Sequence, residues 1–135
     1  MHRILSIDVG EKRVGLAMTD EMAIIASPYG FVERKDSVEK IKQIIMEEHV
    51  HQIVVGLPYL PSGGLGSQAA DVQQFVSDLS KVTSLPIEFE NEILSSVEAT
   101  NRFKQAKKRI KDKGEIDAMA ATIILESYLT RNKVE

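Results

Sequence analysis

The chain has 135 residues, 43% of them hydrophobic, and carries 17 basic against 20 acidic side chains for a net charge of −3. That length suits one ordinary domain, able to bury roughly two-thirds of the surface its unfolded form exposes. The absence of cysteine excludes disulfides, thiol nucleophiles, iron–sulfur clusters and cysteine zinc sites. No apolar run nears the ~18 residues of a membrane span and no signal-peptide core is present, so a soluble, cytoplasmic single domain over residues 1–135 is expected.

Residues 3–8 read as a short strand ending on Asp8, followed by a turn at Gly10. From Arg13 to Thr19 large and small side chains alternate, with Val14, Leu16 and Met18 on one face and Gly15, Ala17 and Thr19 on the other. This is strand periodicity, close enough to the first strand for a hairpin. A third strand is expected within 23–32, bent near Pro28 and Gly30. Asp36 with Glu39 has capping-box spacing for a first helix, whose apolar face is Val38, Ile41, Ile44 and Ile45. The run Ile53–Pro58 is apolar on both faces, as in a strand covered on both sides. A glycine-rich loop follows and ends on Ser67, a candidate cap for a second helix carrying Ala69, Val72, Phe75, Val76 and Leu79. Residues 86–90 read as another strand, and Ser95 with Glu98 opens a third helix. After Gly114 a last helix is expected from about Glu115 to Arg131, with Asp117 in its first turn.

The order β-β-β-α-β-α-β-α predicts an α/β fold: a mixed five-stranded sheet with helices on both faces, as in ribonuclease H-like proteins. Asp8 ends the first strand, Glu92 follows the last, and Asp117 opens the last helix. With the first and last long strands near the middle of the sheet, their ends would converge with that helix. Ala120 and Ala121 would allow the helix close to the sheet. Three converging carboxylates repel unless a cation lies between them. Oxygen ligands select hard ions such as Mg²⁺ or Mn²⁺. Two such ions about 4 Å apart can drive phosphodiester cleavage.

Charge is unevenly spread. Residues 1–96 carry net −6 and residues 97–135 net +3, with seven of the 17 basic side chains between Arg102 and Lys113. Arg102, Lys104, Lys107, Lys108, Arg109 and Lys111, together with Lys12 and Arg13 at the hairpin, are candidate phosphate contacts. Gly10 and Gly15 are read as a tight turn open to a phosphate backbone. The loop 63–67 lacks the Gly-Lys-Ser/Thr ending of a nucleotide P-loop. His49 and His51 read as dipole-offsetting residues near a helix end.

Three strings together resemble the YqgF-type pre-16S rRNA nuclease family, also described as Holliday-junction-resolvase-like. Asp8-Val9-Gly10 through Lys12-Arg13-Val14-Gly15 is similar to its opening motif; Val54-Val55-Gly56-Leu57-Pro58 with the glycine loop, and Ile116-Asp117-Ala118-Met119-Ala120-Ala121, are similar to two others. One motif departs: Asn91 and Ile93 stand where the family has Asp and Arg, while Glu92 is kept. The resemblance implies a Mg²⁺- or Mn²⁺-dependent endonuclease using Asp8, Glu92 and Asp117 as metal-binding catalytic residues. It implies structured RNA as partner (pre-rRNA on a ribosomal particle). No coiled-coil or swapped element stands out in the sequence, so a monomer or weak homodimer is expected. The alternatives are a resolvase of branched DNA, a nucleic-acid-binding ribosome-assembly protein that has lost turnover, and an actin-like nucleotide-binding domain.

Overall fold

The computed structural model describes residues 2–58, 66–91, 101 and 113–132. Its elements are β1 (Ile4–Val9), β2 (Arg13–Thr19), β3 (Ala26–Glu33), α1 (Ser37–Glu47), β4 (Gln52–Leu57), α2 (Ser67–Leu79), β5 (Ile87–Asn91) and α3 (Lys113–Arg131). The strands form one sheet in the order β3-β2-β1-β4-β5. β1 pairs antiparallel with β2, and β2 with β3, whereas β1–β4 and β4–β5 are parallel. This is the mixed ribonuclease H-like sheet expected from the element order, with β1 at its centre.

Strand alternation assigns the two faces. Leu5, Ile7 and Val9 of β1 and Val14, Leu16 and Met18 of β2 pack with Ile41 of α1 and Val72, Phe75 and Leu79 of α2. The other face sets Ile4, Ala17 and Val54 against Ala121, Ile124, Leu125 and Tyr128 of α3. Every residue of β4 is buried, as a strand covered on both sides requires. The expected bend in β3 is a register shift: Leu16 faces Gly30 and Ala17 faces Pro28, leaving Tyr29 unpaired. Pro28 and the bulge sit on an edge strand, where they discourage further strand addition.

Several local expectations are corrected. Asp36 is the N-cap residue of α1, as expected, but its side chain makes no cap bond; a 3₁₀ turn, Arg34–Asp36, leads into the helix, and the Asp36 carboxylate pairs instead with Lys40 at 3.8 Å. The cap of α2 is Gly66, and Ser67 is already helical. α3 begins at Lys113, so Asp117 lies in its second turn. Gly114 lies within α3 with the Phe31 ring in the space a side chain would take, 2.3 Å from where a Cβ would stand, which favours glycine there despite its low helix propensity. β5 is an edge strand, not a central one, since β4 carries the parallel pairing with β1. The helix expected from Ser95 lies outside the described residues, apart from Asn101, which is helical.

Candidate active site

Asp8 belongs to the face of β1 that α3 covers, two residues from Ser6. Ser6 Oγ donates to the carbonyl of Ala121 at 2.9 Å and ties α3 alongside β1. Asp117 is one helical turn before Ala121, as Asp8 is one strand repeat beyond Ser6. The two acids therefore reach the same level along opposite elements. Gly15 brings them together. It is the register partner of Asp8 on β2. A Cβ on Gly15 would stand 2.0 Å from the Asp117 carbonyl oxygen and 2.9 Å from the Asp117 Cβ. The helix backbone thus rests directly on the strand. Close approach at Gly15 serves α3 rather than a phosphate chain, which corrects the sequence reading. Gly10 does make the expected tight turn: its N–H donates to the Arg13 carbonyl at 2.9 Å, where a Cβ would come within 2.6 Å.

Arg13 Nε donates to Asp117 Oδ2 at 2.7 Å, with the two side chains 28% and 25% exposed. Arg13 also lines a cleft of about 900 Å³ beside Lys12, Arg34, Lys113, Glu11 and Asp71, closed by Ser67 and Gln68 at the start of α2. Four cations face two acids there, and α2 adds the positive end of its dipole with no acidic residue in its first turn.

Arg34 holds this wall in place. Its Nη1 donates to the Gly10 carbonyl at 2.9 Å and to Asp71 Oδ2 at 3.0 Å, and its Nη2 to Asp71 Oδ1 at 2.9 Å. Its backbone N–H donates to the Lys12 carbonyl, and its guanidinium lies 5.5 Å from the Phe75 ring centroid. The β1–β2 turn is thereby tied to α2. The hydrogen-bonded guanidinium pulls the Asp71 carboxyl below its ordinary value, and Asp71 raises Arg34 in turn. A lowered carboxylate pKa stabilises the fold above the unfolded value and loses that effect as pH falls through the folded one. Wild type is therefore expected to exceed Asp71→Asn in stability by about 1 kcal/mol at neutral pH, after allowance for solvent screening. In urea melts that margin should shrink below pH 3.8, the ordinary carboxyl value here. A margin independent of pH would show that the pair contributes no ionic term.

Of the residues singled out from sequence, the fold brings Asp8, Asp117, Lys12 and Arg13 to one corner. Glu92 and the basic residues Arg102, Lys104, Lys107, Lys108, Arg109 and Lys111 lie outside the described residues. Among the described residues no three His, Cys, Asp or Glu side chains form a metal-holding group. Asp8 and Asp117 nevertheless fit a hard divalent ion: both donors are carboxylates, and the guanidinium on Asp117 shows that this oxygen accommodates a cation. The histidines do other work. His49 takes the left-handed conformation (φ 56°) just past α1, and His51 accepts the Arg3 N–H at Nδ1. Glu90, only 6% exposed, is held by Arg131 at 2.6 Å and Ser127 at 2.8 Å, so it serves the packing of α3 on β5. Sequence reasoning missed Arg34 and Asp71. No local pattern marks them, because 37 residues separate the partners.

A family model described as RuvX, Holliday junction resolvase, matches residues 2–131. A relative from Gloeothece citriformis is 42% identical over 134 residues, covering 96% of this chain and 88% of its own. One from Synechocystis is 44% identical over 130 residues, covering 93% and 85%. Both carry the name "Putative pre-16S rRNA nuclease". Among solved structures, Thermus thermophilus RuvC in complex with a Holliday junction substrate superposes with TM-score 0.60 at 10% identity, covering 97% of this chain and 96% of that one. At that identity the likeness is one of fold. The match over nearly the whole length, with relatives above 40% identity, places the chain in the RuvX family.

Proposed function

We propose that this protein is a divalent-metal-dependent endonuclease that cleaves phosphodiester bonds in structured RNA, with cytoplasmic pre-16S rRNA as substrate. One observation carries the reading: Asp8 is the register partner of Gly15, on which Asp117 rests, and Arg13, bonded to Asp117, lines a cleft with Lys12, Arg34 and Lys113. The names of the relatives point to the same substrate, and the family's description points to branched DNA as the competing one.

In this reading Asp8 and Asp117, with Glu92, would hold Mg²⁺ or Mn²⁺, which would supply charge stabilisation and activation of the attacking water. Lys12 and Lys113 hold the phosphate chain. Lys113 is the first residue of α3, where a cation opposes the helix dipole. That local cost is offset when an anion lies in the cleft. Arg102, Lys104, Lys107, Lys108, Arg109 and Lys111 extend the phosphate contacts, so affinity falls steeply with salt. The test is cleavage of precursor 16S rRNA and of a synthetic four-way DNA junction, side by side in Mn²⁺. Processing of the RNA, lost in Asp8→Asn, is expected. Cleavage of the junction alone would move the protein to the resolvases.

A further inference from the structure

Three arginines among the described residues sit within hydrogen-bond distance of a carboxylate. Arg34 uses two donors on Asp71 and a third contact on Gly10, and Arg131 uses two donors on Glu90. Arg13 uses one, Nε on Asp117. Among the described residues its two Nη groups donate to no side chain, and its side chain lines the cleft whereas Asp117 does not. Arg34 and Arg131 are thus built in as struts, stacked also on Phe75 and Tyr128. Among the described residues Arg13 is held by one side-chain contact, between an acid and a basic cleft.

We propose that Arg13 is a shared cation that couples metal loading to nucleic-acid binding. The inference rests on the metal-dependent reading above. Without metal, Arg13 neutralises Asp117 and offsets its repulsion with Asp8. A divalent ion held by these acids would compete with the guanidinium for Asp117 and, with twice its charge, would release it. The released fork then faces the cleft, with the geometry that suits a phosphate bidentately. Metal and nucleic acid consequently raise each other's affinity by the same factor, as linkage requires.

The experiment uses the full chain, Mn²⁺ alone by calorimetry, and a short RNA hairpin with phosphorothioate linkages by fluorescence anisotropy, with Mn²⁺ or with EDTA. Wild type is expected to bind the hairpin about tenfold more tightly in Mn²⁺. In Arg13→Gln that coupling falls below about twofold, while Mn²⁺ alone binds several-fold more tightly because its competitor is gone. Arg13→Lys keeps a charge without the fork and retains part of the coupling, which covers the case in which the glutamine variant folds poorly. Lys12→Gln serves as the contrast: it weakens the hairpin with or without metal and leaves the coupling factor as it was. A coupling factor unchanged in Arg13→Gln, or Mn²⁺ affinity no tighter than wild type, overturns the inference alone. Absence of Mn²⁺ uptake by wild type overturns the metal-dependent reading and the inference together.

Discussion

Cleavage by Asp8→Asn is expected to fall at least about 10³-fold below wild type in single-turnover assays with Mn²⁺, a barrier increase of about 4 kcal/mol. Asparagine keeps the size and one oxygen of the side chain but carries no charge, so it weakens a cation ligand without opening a cavity. The fold should survive, because the replacement is isosteric and removes no packing group. A thermal melt within a few degrees of wild type, together with the lost activity, would place Asp8 in the chemistry. Asp117→Asn should lose activity to a similar degree and also lose the charged partner of Arg13, which donates to it at 2.7 Å. Wild-type rates from either variant would move the active site elsewhere.

Gly15→Ala is expected to be strongly destabilising, at about 3 kcal/mol or more, or roughly 10 °C in melting temperature. The new Cβ would stand 2.0 Å from the carbonyl oxygen and 2.4 Å from the carbonyl carbon of Asp117. Neither atom can rotate away, since both are backbone of α3. The helix must lift from β2, which strains the Ser6–Ala121 hydrogen bond and moves Asp117 relative to Asp8. Stability and activity should therefore fall together. Gly114→Ala makes the control. Its Cβ would meet the Phe31 ring at 2.3 Å, but that side chain is 39% exposed and has room to turn. Alanine also gains about 1 kcal/mol of helix propensity over glycine there. If Gly15→Ala melts no lower than Gly114→Ala, α3 does not rest on β2 as described.

Much of this architecture is legible in the chain because it repeats. Val14, Leu16 and Met18 alternate with Gly15, Ala17 and Thr19, and the two sets do face opposite helical layers. Val38, Ile41, Ile44 and Ile45 line one side of α1, and the continuous apolar run of β4 is buried throughout. Short local signals fared less well. Asp36 holds the expected N-cap position of α1 yet makes no side-chain cap bond there, and the N-cap of α2 is Gly66, one residue before Ser67. A cap depends on the direction from which the chain arrives, and spacing does not encode that direction.

The candidate site divides along the same line. The residue types and positions of Asp8, Asp117, Lys12 and Arg13 can be read from the sequence, as can the strand and helix that carry them. That Gly15 is the seat of α3, that Arg13 leans on Asp117 across 104 residues, and that Arg34 ties the turn to Asp71 were decided only by tertiary structure. Periodicity reports which face a side chain takes, because each element repeats its own geometry. The partner across that face is chosen when two elements pack, and such a pairing leaves no repeat in the chain.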